Sequence, residues 1–136
     1  LNGIRRRLMD PRVEKAQQLF WQAQELCRWG GGRAAVQKYL EMARLHEDRA
    51  RDLLIATNPD GWIDLYASVT CWGDAGARED ALRLLEWGCQ EASSFGDAAP
   101  DILRQLSELK VWLRELRVVP SLGDFPPALR FSLVPA

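Results

Sequence analysis

The chain has 136 residues, 47% of them hydrophobic and 27% charged, which is the size and balance of one ordinary globular domain. No apolar run approaches the ~20 residues that a membrane span needs, so we expect no such span. The net charge of −1 is unevenly spread, with +4 in residues 1–33, −6 in residues 34–98 and +1 in residues 99–136. The acidic middle of the chain opposes binding to phosphate.

Three cysteines and one histidine restrict the available chemistry. An odd number of cysteines without a repeated short spacing argues against a disulfide framework, so we expect a reducing, intracellular compartment. A zinc site needs about four converging ligands, and we therefore expect no metal and no cofactor. Cys27 and Cys89 fall on apolar helix faces, which predicts that they act as small buried hydrophobes.

The basic segment at residues 1–9 contains Arg5, Arg6 and Arg7 and has no periodicity of its own, which predicts an arm that binds a partner, and a solvated terminus is the alternative. Asp10-Pro11 then begins a helix, because Asp caps well and Pro is tolerated in the first turn. Apolar residues follow at steps of three and four, as one face of a helix requires. Glycines 30–32 end this helix.

A second helix is predicted from near Arg33 to Thr57, with a polar middle at residues 44–49. A break near His46 is the alternative. Glu47 and Arg51 are spaced to form an ion pair. We interpret this polar stretch as a solvated, ion-paired face, and an acidic groove that accepts a basic peptide is the functional alternative.

The third helix is predicted to begin at Asn58-Pro59 and to end within residues 73–76. The fourth runs from Ala77 to Phe95, where Gly96 stops it. Glycine inside a helix costs about 1 kcal/mol relative to alanine. Gly88 therefore predicts a site where two helix backbones come close together.

The fifth helix is predicted from Pro100 to Val118 and carries a regular apolar seam. The seam covers only about two heptads, which favours packing on a neighbouring helix over a coiled coil. Residues 120–136 contain four of the seven prolines, yet they are too apolar for simple disorder. We expect this tail to be an extended segment that lies along a groove of this protein or of a partner.

Residues 62–95 resemble a degenerate tetratricopeptide repeat. The resemblance rests on an aromatic residue late in the first helix, a glycine at the turn, and small residues flanking a large one, as in Trp72, Gly76, Ala81, Leu85 and Gly88. The first hairpin repeats part of this pattern, and its Gly30 precedes Gly76 by 46 residues. The resemblance implies an all-α fold of about five helices in antiparallel hairpins. These would form a short tetratricopeptide-like solenoid over residues 10–119 with a capping helix and an extended tail.

The same resemblance implies a non-catalytic protein–protein interaction module or assembly subunit, which binds a protein partner or a second copy of itself. Aromatic and basic side chains commonly anchor such interfaces. The predicted contact residues are Trp21, Trp29, Trp62, Tyr66, Trp112, Arg5, Arg6, Arg7, Phe125 and Phe131.

Two other functions stay open at this point. Asn58-Pro59-Asp60 and the stretch GAREDAL at residues 76–82 resemble the pentatricopeptide repeat, which implies an RNA-associated subunit of a ribonucleoprotein or ribosome. A small helical enzyme that uses a cysteine with His46 is the third possibility, although no local signature supports it.

Overall fold

A computed structural model describes residues 10–116, in which the chain forms five α-helices and no strand. The helices are α1 (Pro11–Arg28), α2 (Gly32–Ile55), α3 (Gly61–Asp74), α4 (Arg78–Glu91) and α5 (Ala99–Glu115), with a 3-10 segment at Ala92–Ala98 between the last two. The expected all-α class and helix number are confirmed. The predicted arm at 1–9, the tail at 120–136 and the contact residues Arg5, Arg6, Arg7, Phe125 and Phe131 lie outside the described residues.

Four of the helices pack antiparallel, and the pairs α1–α2 and α2–α3 share the largest interfaces. Their facing sides form one core, in which the fully buried large side chains include Tyr39, Leu19, Leu54, Leu65, Leu84 and Leu109. The predicted seam of α5 is buried at Leu106, Leu109 and Leu113 and packs on its neighbours, as expected. The apolar helix faces that the sequence periodicity predicts are therefore the faces that form the core.

The turns after α1, α2 and α3 share one hydrogen-bond pattern. In each turn an amide donates to the carbonyl five residues earlier, at 2.6 to 2.8 Å, which is the bond that defines a Schellman turn. The residue before that donor has a positive φ, of 81° at Gly30, 58° at Thr57 and 83° at Gly76. Glycine adopts this conformation without strain, whereas a β-branched threonine does not.

Gly88 allows α4 to approach α3 closely, as the sequence predicts. A Cβ atom at this position would lie 2.8 Å from Cδ1 of the buried Leu65. Gly73 was expected to help end α3, but it lies inside that helix. A Cβ atom there would come within 3.1 Å of Leu113 and Trp112 of α5, so Gly73 is a second point of close helix contact.

Three details of the structure differ from the sequence-based expectations or resolve them. Helix α2 is continuous through His46, because its polar middle is paired with side chains of α3 and α4. Helix α4 ends at Glu91, and Phe95 lies in the following 3-10 segment, which Gly96 with its φ of 58° interrupts. The prediction of a buried Cys89 is wrong, because Gly88 takes the inner position and Cys89 is exposed.

Thr57 provides a test of the strain in the α2–α3 turn. We expect Thr57→Gly to raise the free energy of unfolding by about 1 kcal/mol, because the left-handed conformation costs a non-glycine residue roughly that amount. Urea denaturation followed by circular dichroism measures the change. Gly76→Ala is the matched control and should lower stability by a similar amount. A loss of stability in Thr57→Gly would show that the turn does not strain Thr57.

Gly88 and Leu65 provide a test of the close α3–α4 contact. Gly88→Ala should destabilise the protein, because crowding of a packed core costs about 1–3 kcal/mol and outweighs a gain in helix propensity of about 1 kcal/mol. In the background of Leu65→Val, which lacks the crowded Cδ1 methyl group, the same substitution should become neutral or stabilising. A double-mutant cycle from urea denaturation measures this coupling. Additive effects would contradict the contact.

Candidate functional site

A buried carboxylate joins the first three helices. Asp64 lies in the first turn of α3, where the helix dipole favours an acidic residue, and only 5% of its side chain is exposed. It accepts a charged hydrogen bond from Arg49 of α2, and its Oδ1 lies 3.0 Å from Nδ1 of His46. Arg49 also donates from Nε to Oδ2 of Asp10 at 3.2 Å. One arginine therefore bridges the start of α1 and the start of α3.

Asp10 is the N-cap that the sequence predicts, and it is also part of this ion-paired group. Its Oδ1 accepts the backbone amide of Arg12 at 2.8 Å, and its Oδ2 accepts Nη2 of Arg12 at 3.0 Å. The side-chain hydrogen bond from Arg12 is the main cause that lowers the pKa of Asp10 to about 2. Arg12 also reaches Asp52 of α2 at 2.8 Å. The cap residue of α1 thus belongs to a network that connects the first three helices.

Glu47 is a second polar centre, and it joins α2 to α3 and α4. Its side chain is only 13% exposed. It accepts hydrogen bonds from Nε1 of Trp72 at 3.0 Å, from Nε of Arg51 at 3.0 Å and from Nη1 of Arg83 at 3.2 Å. Burial raises the pKa of Glu47, but the bonds from Arg83, Arg51 and Trp72 outweigh it and lower the pKa below its ordinary value. The predicted Glu47–Arg51 pair is therefore confirmed, although the glutamate is half-buried rather than solvated.

A polar cleft of about 370 Å³ lies beside Glu47, and its lining includes Arg44, Asp48, Trp72, Asp80 and Arg83. The guanidinium of Arg44 lies 5.8 Å from the centre of the Trp72 ring, close enough for a cation–π interaction. Glu47 and Asp80 already accept bonds from Arg83, so two of the three carboxylates in the lining are paired and Asp48 is the third. This pairing disfavours the alternative of an acidic groove that accepts a basic peptide.

The thiols of Cys27 and Cys71 and the imidazole of His46 occupy positions that favour packing over nucleophilic chemistry, whereas Cys89 is exposed. Burial raises the pKa values of the Cys27 and Cys71 thiols, whereas a nucleophilic cysteine needs a lowered pKa. Nδ1 of His46 contacts the buried carboxylate of Asp64. Across residues 10–116, no three His, Cys, Asp or Glu side chains are grouped in a way that could hold a metal ion.

Trp21 and Trp29 are exposed on the outer side of α1, with 69% and 78% of their surface accessible. Trp21 contacts the neighbouring Phe20 ring edge-on, at 5.0 Å between ring centroids. Nε1 of Trp29 donates to Oε1 of Glu25 at 2.8 Å, and Arg28 binds the other oxygen of that carboxylate. Trp21, Glu25 and Trp29 are four residues apart in turn, so they share one side of the helix.

Trp62 and Tyr66 line an apolar cleft of about 250 Å³ instead of projecting into solvent. Phe95, Ile102 and Leu106 complete much of its wall. The Trp62 and Phe95 rings meet edge-on at 5.2 Å between centroids. Burial, with a contribution from the charge of Glu108, raises the pKa of Tyr66. The indole N–H of Trp62 is buried and has no acceptor among residues 10–116.

Trp112 is half-buried, and its ring lies against Gly73. The structure thus separates the five described contact residues into two groups. Trp21 and Trp29 form an exposed pair on α1, whereas Trp62 and Tyr66 share the α3–α5 cleft, with Trp112 farther along the same seam. No helix within residues 10–116 combines the length and the apolar character that crossing a bilayer requires.

Glu47 provides a test of the polar centre between α2 and α4. We expect Glu47→Ala to lower the free energy of unfolding by about 1–3 kcal/mol, because it leaves the Trp72 indole and two arginines without their acceptor. Glu47→Gln keeps an acceptor and should cost less. Because folding lowers the pKa of Glu47, its contribution is present above the unfolded pKa near 4.5 and is lost as the pH falls through the folded value. Urea denaturation between pH 3 and 7, roughly the range where carboxylates titrate, measures both effects. Equal losses at pH 7 in both variants would contradict this role.

Comparison with known proteins leaves the family of this chain open. No protein-family model, no curated protein and no solved structure matches it. Its function is therefore inferred from the geometry of residues 10–116.

Proposed function

We propose that this chain is a non-catalytic protein–protein interaction module whose helical hairpins form a short tetratricopeptide-like stack. The observation that carries the proposal is the exposed pair Trp21 and Trp29 on the outer side of α1. At 1.5 Å of rise per residue, the two positions are roughly 12 Å apart along the helix. Exposed tryptophans spaced in this way are typical anchors of a protein interface.

The exposed pair Trp21 and Trp29 lies on a helix whose other side is packed against the core. Ala16, Leu19 and Ala23 of α1 are buried against the core, so the opposite side of the helix projects outward. The bond from Trp29 to Glu25 restrains one indole, which reduces the entropy lost when a partner binds. An apolar protein surface is the partner that fits two such rings.

The repeat-like geometry of the turns supports the proposed stack. Gly30 and Gly76 close the same kind of turn 46 residues apart, with nearly equal φ values. Gly88 permits the close contact between helices that the tetratricopeptide resemblance implies. Stacked helical pairs of this kind are used widely as protein-binding surfaces.

Charge favours a protein partner over RNA. Residues 10–116 carry a net charge of −5, and Arg12, Arg49, Arg51 and Arg83 already pair with carboxylates. Phosphate binding needs cations that are free to replace counterions. The positions of His46 and of the buried thiols likewise give no support to the enzyme alternative.

Removing the tryptophan pair is the direct test. The double variant Trp21→Ser, Trp29→Ser should leave the free energy of unfolding within about 0.5 kcal/mol of wild type, since both side chains are exposed. It should lose the protein partners that the wild-type chain retains after cross-linking in its native source, measured by quantitative mass spectrometry. Sedimentation velocity identifies self-association as one form of this interaction.

The matched control is Gln18→Ser, Gln22→Ser, which changes two exposed polar residues of the same helix. It should keep the wild-type partners. The proposal fails if the tryptophan variant keeps them too. Binding to single-stranded RNA that weakens with salt, and that the tryptophan variant retains, would instead favour the RNA alternative.

A further inference from the structure

The seam between α3 and α5 is closed at one end and open at the other. Near the C-terminal ends of both helices, Gly73 lies against Trp112 and Leu113. Near their N-terminal ends, Trp62 of α3 and Ile102 of α5 both line the apolar cleft. The two helices therefore run in the same direction, and the cleft lies at their N-terminal ends.

The cleft is suited to the side chains of a peptide rather than to a cofactor. Its volume of about 250 Å³ is below the ~300–1,000 Å³ of typical small-molecule pockets. Its walls are mainly aromatic and aliphatic, with Gln105 as a polar residue at the edge. An aromatic side chain that enters beside Trp62 and Phe95 would extend their edge-on contact.

We propose that the chain's own C-terminal segment, residues 117–136, fills this cleft in cis, with Phe125 as the side chain that enters it. The proposal is independent of the exposed pair on α1. It concerns a different surface and would stand if that pair bound nothing.

The length of the chain permits this return. Helix α5 ends next to α4, where Arg78 donates a hydrogen bond to the carbonyl of Leu116. From Leu116 back to the level of Leu106 and Ile102 is roughly 15–21 Å along the helix axis. Phe125 is nine residues after Leu116, and an extended chain of nine steps spans up to about 30 Å. Phe125 is the first aromatic residue of the segment, and this length exceeds the distance back to the cleft by enough to allow a turn.

The chemistry of the segment matches that of the cleft. Residues 117–136 carry only three charged side chains, and Pro126-Pro127 directly after Phe125 disfavour helix and favour an extended backbone. The short tether holds the segment near the cleft at an effective concentration on the order of millimolar. A second copy of the chain would need a comparable free concentration to compete.

This assignment changes the role of three predicted contact residues. Trp62, Tyr66 and Phe125 would contact one another within the chain, and they would be unavailable to a partner while the segment is bound. A partner that used the cleft would first have to displace the segment.

Site-directed cross-linking of the full chain tests the proposal. The background carries Cys27→Ser and Cys89→Ser and keeps the buried Cys71. Gln105→Cys, at the edge of the cleft, is combined with Asp124→Cys, next to Phe125. We expect an intramolecular disulfide to form under mild oxidation at least about tenfold faster than in the control pair, because docking raises the local thiol concentration. Non-reducing electrophoresis and peptide mass spectrometry measure the rate and the linkage.

The control pair is Ser107→Cys with Asp124→Cys, because Ser107 is exposed on α5 but outside the cleft lining. Adding Phe125→Ser to the first pair should remove its advantage. The new cysteines are all on α5 or in the segment of residues 117–136. Circular dichroism checks that each variant keeps its helices. Equal rates in the two pairs, or a rate that does not depend on Phe125, would overturn the proposal. A disulfide formed only between two chains would also overturn it and would identify a second copy as the occupant.

Discussion

The buried carboxylate of Asp64 is the interaction on which the arrangement of the first three helices depends. A carboxylate removed from water is strongly unfavourable unless it is paired and hydrogen-bonded. Asp64 meets this requirement only when His46 and Arg49 of α2 lie against the start of α3. Because Arg49 also binds Asp10, the same condition places the beginning of α1. Other registers of these helices would leave the charge without its partners.

The rest of the packing is consistent with this constraint. The α2–α3 interface uses small side chains, and Ser68 of α3 donates to the carbonyl of Ala43 at 2.7 Å, so the two backbones approach closely. Glu47, one residue after His46, joins α2 to α3 through its bond from Trp72 and to α4 through its bond from Arg83. The polar middle of α2 therefore takes part in assembling the domain.

This use of the polar residues leaves the aromatic residues as the main candidates for recognition. Trp21 and Trp29 are exposed on α1, which supports binding to a protein partner. Trp62 and Tyr66 instead line the open end of the α3–α5 seam, where the chain's own C-terminal segment is the proposed occupant. The two surfaces lie on different helices, so either one can serve its role without the other.

The sequence by itself determined the helices, their approximate ends and the apolar face of each one. These features depend on neighbours within one or two turns, such as the cap at Asp10, the left-handed glycines 30 and 76 and the seam of α5. It did not reveal that Asp64 is buried, that Glu47 is half-buried, that Gly73 is a helix contact or that Cys89 is exposed. A charged residue in the apolar stretch of α3 was the available signal for Asp64. Only the tertiary structure decided these points, because they depend on partners such as His46 and Arg83, 18 and 36 residues away in the chain, and periodicity within one helix carries no information about its neighbour.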